Sequence, residues 1–328
     1  MKALITTVPF AENDTRPIEL LEQAGIEYVI NPLGRKLKEE ELANLIPEFD
    51  VLIAGTEPIG VSVLSQANQL KLICRVGIGL DSVDLNEARR RDIEVCYTPD
   101  APSPAVAELT IGLMLSVLRS VHISNTCMHK GEWYRYFGRR LSEITIGIVG
   151  VGRIGSRVIE HLSGFGCKEI LINDLNTVHF SNESTVDNIE QVSKDRLYRN
   201  SDLISLHVPL NMDTRGMITK DEMSEMRKGA LLVNTSRGGI INETDLYNAL
   251  MSGHLAAAAV DVFEQEPYSG PLSSVEQCLL TAHMGSMSVD CRSRMEREST
   301  EEVARFVSGE TLMHKVPEEE YQNQEQGL

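Results

Sequence analysis

The stretch ITIGIVGVGRIGSRVIEHLSGFGCKEILIND, residues 144–174, carries the pattern that decides the fold. It opens with an apolar run, which predicts a buried parallel strand. Gly150, Gly152 and Gly155 follow at once in the spacing G-x-G-x-x-G. An amphipathic helix pattern and a second apolar run come next, and the stretch ends in Asp174, 19 positions after Gly155. This order predicts a strand–helix–strand unit.

The same order meets the physical demands of dinucleotide binding. Gly150 permits a tight turn, Gly152 lets backbone N–H groups approach a pyrophosphate, and Gly155 lets the helix pack closely on the strand. Asp174, at the tip of the second strand, is placed to accept hydrogen bonds from a ribose. Glycine turns of this spacing also occur where only packing requires them. The flanking strand, helix and acidic residue together favour a dinucleotide site.

Length and charge limit the number of domains and the kinds of partner that this chain can have. A chain of 328 residues suggests two domains, each able to bury its own core. The formal charge is 31 minus 48, or −17. A surface this acidic repels nucleic acids and anionic membranes, so we expect neither as a partner. An anionic substrate would have to meet a local cluster of arginines.

The cysteines and the first residues indicate the compartment. The six cysteines have no C-x-x-C spacing, and we predict free thiols with neither a disulfide framework nor a metal site. The opening run MKALITTVPFAEND becomes acidic before it could form a signal sequence. No apolar run approaches the ~18 residues of a membrane span. We therefore expect a soluble, cytoplasmic protein.

Residues 1–97 alternate strand and helix patterns without a glycine phosphate loop, which predicts a small parallel sheet covered on both faces. Three prolines within residues 98–104 predict a stiff crossing between domains, and residues 105–129 predict one long, buried helix. Further apolar strand patterns follow the dinucleotide unit. Residues 176–199 show no clear pattern.

The predicted fold class is α/β, with two doubly wound parallel-sheet domains: a flavodoxin-like one and an inserted Rossmann domain that binds the nucleotide. The Rossmann domain is predicted at 99–287. The other domain is discontinuous and comprises 1–98 and 288–328, since a helix over 290–308 could return to it. The acidic, glutamine-rich stretch after residue 316 is predicted to be a mobile end.

Three polar residues follow later strand patterns directly. Arg237 lies in NTSRGG, Glu266 in DVFEQEP and His283 in TAHMGS. Ligands of doubly wound sheets bind at the carboxyl ends of the strands. An arginine there can hold a carboxylate, and a carboxylate beside a histidine favours the protonated ring, which can then donate a proton. Each residue alone is more commonly structural, but three strand-end residues beside one nucleotide site favour catalysis.

One loop of the first domain has the features of an anion site. Val76-Gly77-Ile78-Gly79 follows a strand pattern, so its N–H groups could form a nest for a carboxylate. A simple glycine turn is an equally good interpretation.

Seven ordered motifs resemble the D-isomer-specific 2-hydroxy acid dehydrogenases, in the phosphoglycerate-dehydrogenase-like branch without a regulatory domain. They are CRVGIGLDSVDL, TPDAPSPAVAELTIGLML, TIGIVGVGRIG, HVPL, VNTSRGGIIN, DVFEQEP and TAHMGS. The resemblance covers about residues 50–315, and the first 50 residues match only in pattern.

The resemblance implies a role for each matching residue. Arg237 would bind the substrate carboxylate and carbonyl, Glu266 would orient His283, and His283 would be the acid/base. The substrate carboxylate would meet the backbone of Val76 and Gly77. The coenzyme would be NAD, and the assembly a homodimer built on the long helix. The residues assigned to the coenzyme are Gly150, Gly152, Arg153, Ile154, Gly155, Asp174, His207, Val208, Pro209, Thr235, Ser236, Asp261, His283 and Gly285, with Asp261 on the nicotinamide amide.

The predicted function is therefore NAD-dependent interconversion of a D-2-hydroxy acid and its 2-oxo acid. One hypothesis gives the acid a second anionic group, phosphate or phosphonate, held by Arg75 with help from Arg135, Arg139 and Arg140. Ordinary surface charge explains these arginines equally well. Two alternatives remain: a general glyoxylate/hydroxypyruvate reductase, and an NADH-sensing interaction protein similar to the C-terminal-binding-protein corepressors.

Overall fold

The computed structural model describes residues 1–179 and 188–325. The chain divides into two compact units, one comprising Met1–Pro102 and Met287–Leu328, the other Ser103–Ser286. The sequence predicts boundaries after residues 98 and 287.

The first unit begins with a five-stranded sheet of order β2-β1-β3-β4-β5, in which every pairing is parallel. This is the flavodoxin-like order. The strands are β1 (Lys2–Ile5), β2 (Glu27–Ile30), β3 (Val51–Ala54), β4 (Leu72–Arg75) and β5 (Glu94–Tyr97). The helices between them are α1 (Arg16–Gln23), α2 (Glu39–Leu45), α3 (Val61–Leu64) and α4 (Leu85–Arg90).

The second unit is built on a seven-stranded parallel sheet of order β12-β11-β10-β9-β6-β7-β8. The strands are β6 (Thr145–Val149), β7 (Glu169–Asn173), β8 (Ile189–Gln191), β9 (Leu203–Leu206), β10 (Ala230–Asn234), β11 (Leu255–Val260) and β12 (Cys278–Leu280). Every residue of β6 and β10 is buried, as expected for strands covered by helices on both faces. The order reverses between β6 and β9, which is the ligand-binding position of a Rossmann sheet.

The helices of the second unit are α5 (Ser103–Leu118), α6 (Val121–His129), α7 (Arg153–Ser163), α8 (Lys194–Asn200), α9 (Lys220–Glu225) and α10 (Glu243–Met251). The prediction of one helix over 105–129 is wrong. Ser120 adopts the left-handed conformation, with φ of 50°, and the two helices that meet there are bent by 67°. Apolar periodicity does not reveal the break, because Val117, Leu118, Val121 and Ile123 continue an apolar pattern across it.

No single helix in the described ranges has the length and apolarity to cross a membrane, although the bent pair α5–α6 meets both criteria together. Sequence patterns predict no element over residues 176–199, of which residues 180–187 lie outside the described part. The remainder contains β8 and α8, whose short polar sequences carry a weak periodic signal.

The chain then returns to the first unit through α11 (Val289–Ser308) and α12 (Glu318–Glu325). The prediction of a mobile end after residue 316 is wrong for residues 317–325, which are ordered. Residues 326–328 lie outside the described part. Val316 donates to the Val95 carbonyl at 3.0 Å, and Tyr321 is 4% exposed in the hydrophobic core of the unit. One buried tyrosine anchors a helix whose other side chains are polar.

Candidate active site

The turn after β6 needs glycine at two of its three glycine positions. Gly150 has φ of 90°, and a Cβ there would lie 2.6 Å from the His207 carbonyl oxygen. A Cβ on Gly155 would lie 2.0 Å from the Gly150 carbonyl oxygen, so α7 can approach the turn only with glycine. Gly152 has open space above it, at the N-terminus of α7. The geometry suits a pyrophosphate bound by the backbone N–H groups.

Asp174, which follows β7, is held against this turn. Its Oδ2 accepts from the Val151 N–H at 2.8 Å, and its Oδ1 accepts from the Asn176 N–H at 2.9 Å. A carboxylate offers about four acceptor positions, so two remain for ribose hydroxyls.

His207, at the end of β9, fits the coenzyme side of the site. Its Nε2 lies 2.9 Å from Ser205 Oγ, and its Nδ1 has no hydrogen-bond partner among residues 1–179 and 188–325. Burial lowers the pKa of His207 to about 3, so the ring is neutral. A neutral ring with an unused nitrogen is suited to a polar group of NAD.

Glu266 and His283 form the hydrogen-bonded pair that the sequence motifs suggest. His283 Nδ1 lies 3.0 Å from each carboxylate oxygen of Glu266, and the two side chains are 35% and 21% exposed. Oε1 of Glu266 also accepts from the Phe263 N–H at 3.2 Å. With Nδ1 turned to the carboxylate, Nε2 is the nitrogen left to exchange a proton with a substrate.

Asp261 holds the loop that carries His283. Its Oδ1 accepts from Thr281 Oγ1 at 2.5 Å and from the Met284 N–H at 2.9 Å, and its Oδ2 accepts from the Gly285 N–H at 2.9 Å. The backbone of His283 is left-handed, with φ of 49°. Such a conformation in a residue other than glycine persists where its surroundings enforce it. Three of the acceptor positions of Asp261 are used, which leaves one for the predicted contact with the nicotinamide amide.

Arg237 follows β10 in a turn ordered by Asn234. The Asn234 side chain accepts from the Ser236 N–H at 3.0 Å and donates to the Arg237 carbonyl at 2.9 Å. A Cβ on Gly238 would lie 2.0 Å from the backbone of Phe263, so only glycine lets this turn pack against the segment that leads to Glu266. Arg237 is half-buried.

Thr235, assigned to the coenzyme, is tied to α5. Its Oγ1 lies 2.8 Å from Oγ1 of Thr110, which in turn donates to the Val106 carbonyl at 2.7 Å. Sequence reasoning missed Thr110, which lies in a mostly apolar helix, and Thr281, although Thr281 lies in the motif TAHMGS.

In the first unit, the N–H groups predicted to hold the substrate carboxylate are already used. Val76 donates to the Ala54 carbonyl at 2.9 Å, and Gly77 donates to Thr98 Oγ1 at 2.8 Å. Both residues are buried. In this structure both N–H groups have acceptors within the protein, and the assignment of the Val76 and Gly77 backbone to the substrate stays a prediction.

The next two residues are more accessible. Ile78 and Gly79 are half-exposed, and their N–H groups have no acceptor within the described ranges. Arg75 is 7% exposed, and its guanidinium donates to the Val76 carbonyl. Its side chain therefore lies under the loop, where a Cβ on Gly77 would meet Arg75 Nη1 at 2.2 Å.

A Rossmann sheet with a glycine turn, an acidic ribose site and a carboxylate-paired histidine defines an NAD-dependent oxidoreductase. Residues 111–285 match the model of the D-isomer specific 2-hydroxyacid dehydrogenase, NAD binding domain. The chain belongs to the D-isomer specific 2-hydroxyacid dehydrogenases, and it acts on CH–OH groups with NAD. The predictions of family, fold class, enzyme class and coenzyme are confirmed.

Similarity to individual proteins supports the same family. Hydroxypyruvate reductase of Thermotoga maritima is 35% identical over 274 residues, covering 81% of this chain and 88% of the relative. D-3-phosphoglycerate dehydrogenase of Methanocaldococcus jannaschii is 33% identical over 329 residues, covering 97% of this chain and 61% of the relative. The crystal structure of a glyoxylate reductase from Paecilomyes thermophila matches with a TM-score of 0.83 and 28% identity, covering 97% of this chain and 99% of that one.

Proposed function

We propose that this protein reduces a small 2-oxo acid with one carboxylate, of the hydroxypyruvate or glyoxylate type, to the 2-hydroxy acid, which has the D configuration where C2 is a stereocentre. The observation that carries the proposal is the pairing of His283 Nδ1 with Glu266 at 3.0 Å, which leaves Nε2 as the proton donor. The names of the relatives from Thermotoga maritima and Paecilomyes thermophila support the same substrate class.

Bound NADH supplies a hydride to C2 of the oxo acid. The protein's own residues handle the charge that develops on the carbonyl oxygen. Protonated His283 gives the proton on Nε2 to that oxygen as the C=O double bond becomes a single bond, and Glu266 stabilises the ring while it is charged. Arg237 binds the carboxylate and polarises the carbonyl, and the N–H groups of Ile78 and Gly79 are assigned to carboxylate recognition. The products are the hydroxy acid, NAD⁺ and neutral His283.

The surroundings of three of the four candidate arginines favour a substrate with a single anionic group. Arg75, the main candidate for a second anion, is buried beneath its loop. Arg139 pairs with Asp202 at 3.0 Å, and Arg140 pairs with Glu143 at 3.2 Å. Binding a phosphate would require these side chains to leave partners that they already have.

A substrate panel tests the proposal. NADH oxidation is compared for glyoxylate, pyruvate, hydroxypyruvate, phosphohydroxypyruvate and phosphonopyruvate, with 3-phosphoglycerate assayed in the oxidative direction. We expect hydroxypyruvate or glyoxylate to exceed both dianions in kcat/KM by at least tenfold, equivalent to about 1.4 kcal/mol. A dianion preferred by that factor, with the preference lost in Arg75→Ala, would overturn the single-carboxylate assignment. NADH binding without turnover of any acid would favour the sensor alternative.

We also propose a homodimer, on the basis of an exposed aromatic segment after α6. Trp133 is 79% exposed, Tyr134 65% and Phe137 104%, which is unusual for large apolar side chains that lie close together. A second copy of the chain would bury them. Trp133 is the single tryptophan of the sequence, so its fluorescence reports on this segment alone. We expect a dimer by light scattering that dissociates in Phe137→Ser, with a red shift of the emission, whereas a monomeric parent protein would overturn the proposal.

We propose a cytoplasmic location. All six cysteines are free thiols and five of them are buried, which is typical of a reducing compartment. Cell fractionation tests this, and recovery from an extracytoplasmic fraction would contradict it.

A further inference from the structure

Helix α12 is docked on the first unit by contacts that converge on α4. Glu318 forms two hydrogen bonds with the Arg89 guanidinium, at 2.9 and 2.6 Å, and the guanidinium lies 3.7 Å from the centre of the Tyr321 ring. The Tyr321 carbonyl accepts from Asn86 Nδ2 at 3.3 Å. These contacts fix α12 along the length of α4.

Gln324, near the end of α12, uses both halves of its amide. Its Oε1 accepts from the Leu85 N–H at 2.7 Å and from the Asn86 N–H at 3.4 Å, which caps α4. Its Nε2 donates to the Val83 carbonyl at 2.8 Å. One side chain therefore joins the first turn of α4 to the residue that ends the preceding loop.

That loop, residues 76–84, is the one that carries the proposed nest of Ile78 and Gly79, and here we call it the nest loop. It is held at its start by the bond from Gly77 to Thr98. Its later half folds back through a bond from the Val83 N–H to the Leu80 carbonyl at 3.0 Å. The far end is held by Ile59, whose N–H donates to the Ser82 carbonyl at 2.7 Å and whose carbonyl accepts from the Asp84 N–H at 3.0 Å. Gln324 adds a side-chain bond to the Val83 carbonyl at the same point, so a shift of Val83 would be transmitted to the nest across only a few residues.

We propose that α12 is a positioning element for the substrate-binding nest loop and that Gln324 is its positioning residue. The inference rests on the proposed function, since it takes Ile78 and Gly79 as the carboxylate site. Loss of the Gln324 tether lets the nest loop sample other conformations, and a loop that must be ordered on binding gives weaker substrate affinity. Coenzyme binding, which belongs to the second unit, is unaffected.

A matched pair of variants separates tethering from mere stability. Gln324→Glu keeps an acceptor for the Leu85 N–H, where a negative charge at a helix N-terminus is favourable, but turns an oxygen instead of a donor toward the Val83 carbonyl. Gln322→Glu makes the same chemical change on the same helix at an exposed position. Both variants add one negative charge, so a difference between them reports the position and not the charge.

We expect Gln324→Glu to raise the KM for hydroxypyruvate about three- to tenfold, the range for one lost hydrogen bond. The Kd for NADH, kcat and Tm should stay at the values of Gln322→Glu. Hydrogen exchange of the nest loop should accelerate in Gln324→Glu alone. Equal KM and equal exchange in the two variants would overturn the inference, as would a fall in Tm accompanied by a loss of kcat and NADH binding. If no oxo acid is turned over, the proposed function fails. The tether is then judged by hydrogen exchange of the nest loop alone, and equal exchange in the two variants would reject it.

Discussion

Asp261→Asn tests how the catalytic loop is held. The carboxylate accepts hydrogen bonds from Thr281, Met284 and Gly285 at 2.5–2.9 Å and is 1% exposed. Asparagine can keep an oxygen toward Thr281 and Met284, but it then presents an NH₂ group to the Gly285 N–H. A hydrogen bond to a charged acceptor contributes about 1.5–3 kcal/mol. We expect the left-handed backbone of His283 to relax when that bond is lost.

A loss of about 2–3 kcal/mol in the transition state corresponds to a fall in kcat of roughly 30- to 150-fold. The assay follows NADH oxidation with hydroxypyruvate, beside the Kd for NADH measured by fluorescence. Thr281→Val is the control for the loop, because it removes one hydroxyl donor and leaves the two N–H bonds. It should cost about 1 kcal/mol, roughly fivefold in kcat. If Asp261 serves only the coenzyme, Asp261→Asn would raise the Kd for NADH and Thr281→Val would leave kcat unchanged. That result would refute the role of Asp261 in holding the loop of His283.

Four further predictions concern single residues. His283→Ala should lower kcat by roughly 100- to 10,000-fold with NADH binding retained. Glu266→Gln should also lower kcat, because Nδ1 of His283 loses its carboxylate partner; near-normal kinetics would contradict both. Asp174 repels a 2′-phosphate, so NADH should exceed NADPH in kcat/KM and Asp174→Ala should shrink the ratio; equal values in the unmodified protein would exclude this role. Gly238→Ala forces a Cβ into the Phe263 backbone and should cost about 1–3 kcal/mol or more of stability in urea unfolding, whereas an unchanged midpoint would show that the turn can move.

The sequence alone determined the fold class, the coenzyme and the family. Strands buried on both faces are continuous apolar runs, and a glycine turn that must approach a pyrophosphate has a fixed spacing. Both features can therefore be recognised in the sequence. The pairing of Glu266 with His283 was also predictable, because consecutive parallel strands bring their carboxyl ends to one edge of the sheet. These features depend on local pattern and topology.

Only the tertiary structure decided which groups remain available for a ligand. Whether the N–H of Gly77 or that of Gly79 can bind a carboxylate depends on Thr98, a partner about twenty positions away. Likewise, α12 has a polar sequence that predicts disorder, yet it is ordered by Tyr321 in the core and by contacts with α4, which lies more than 200 residues earlier in the chain. Contacts between distant segments leave no periodic signal, because periodicity depends only on residues that are close together in sequence. Hydrogen-bond availability is therefore a property of the folded chain.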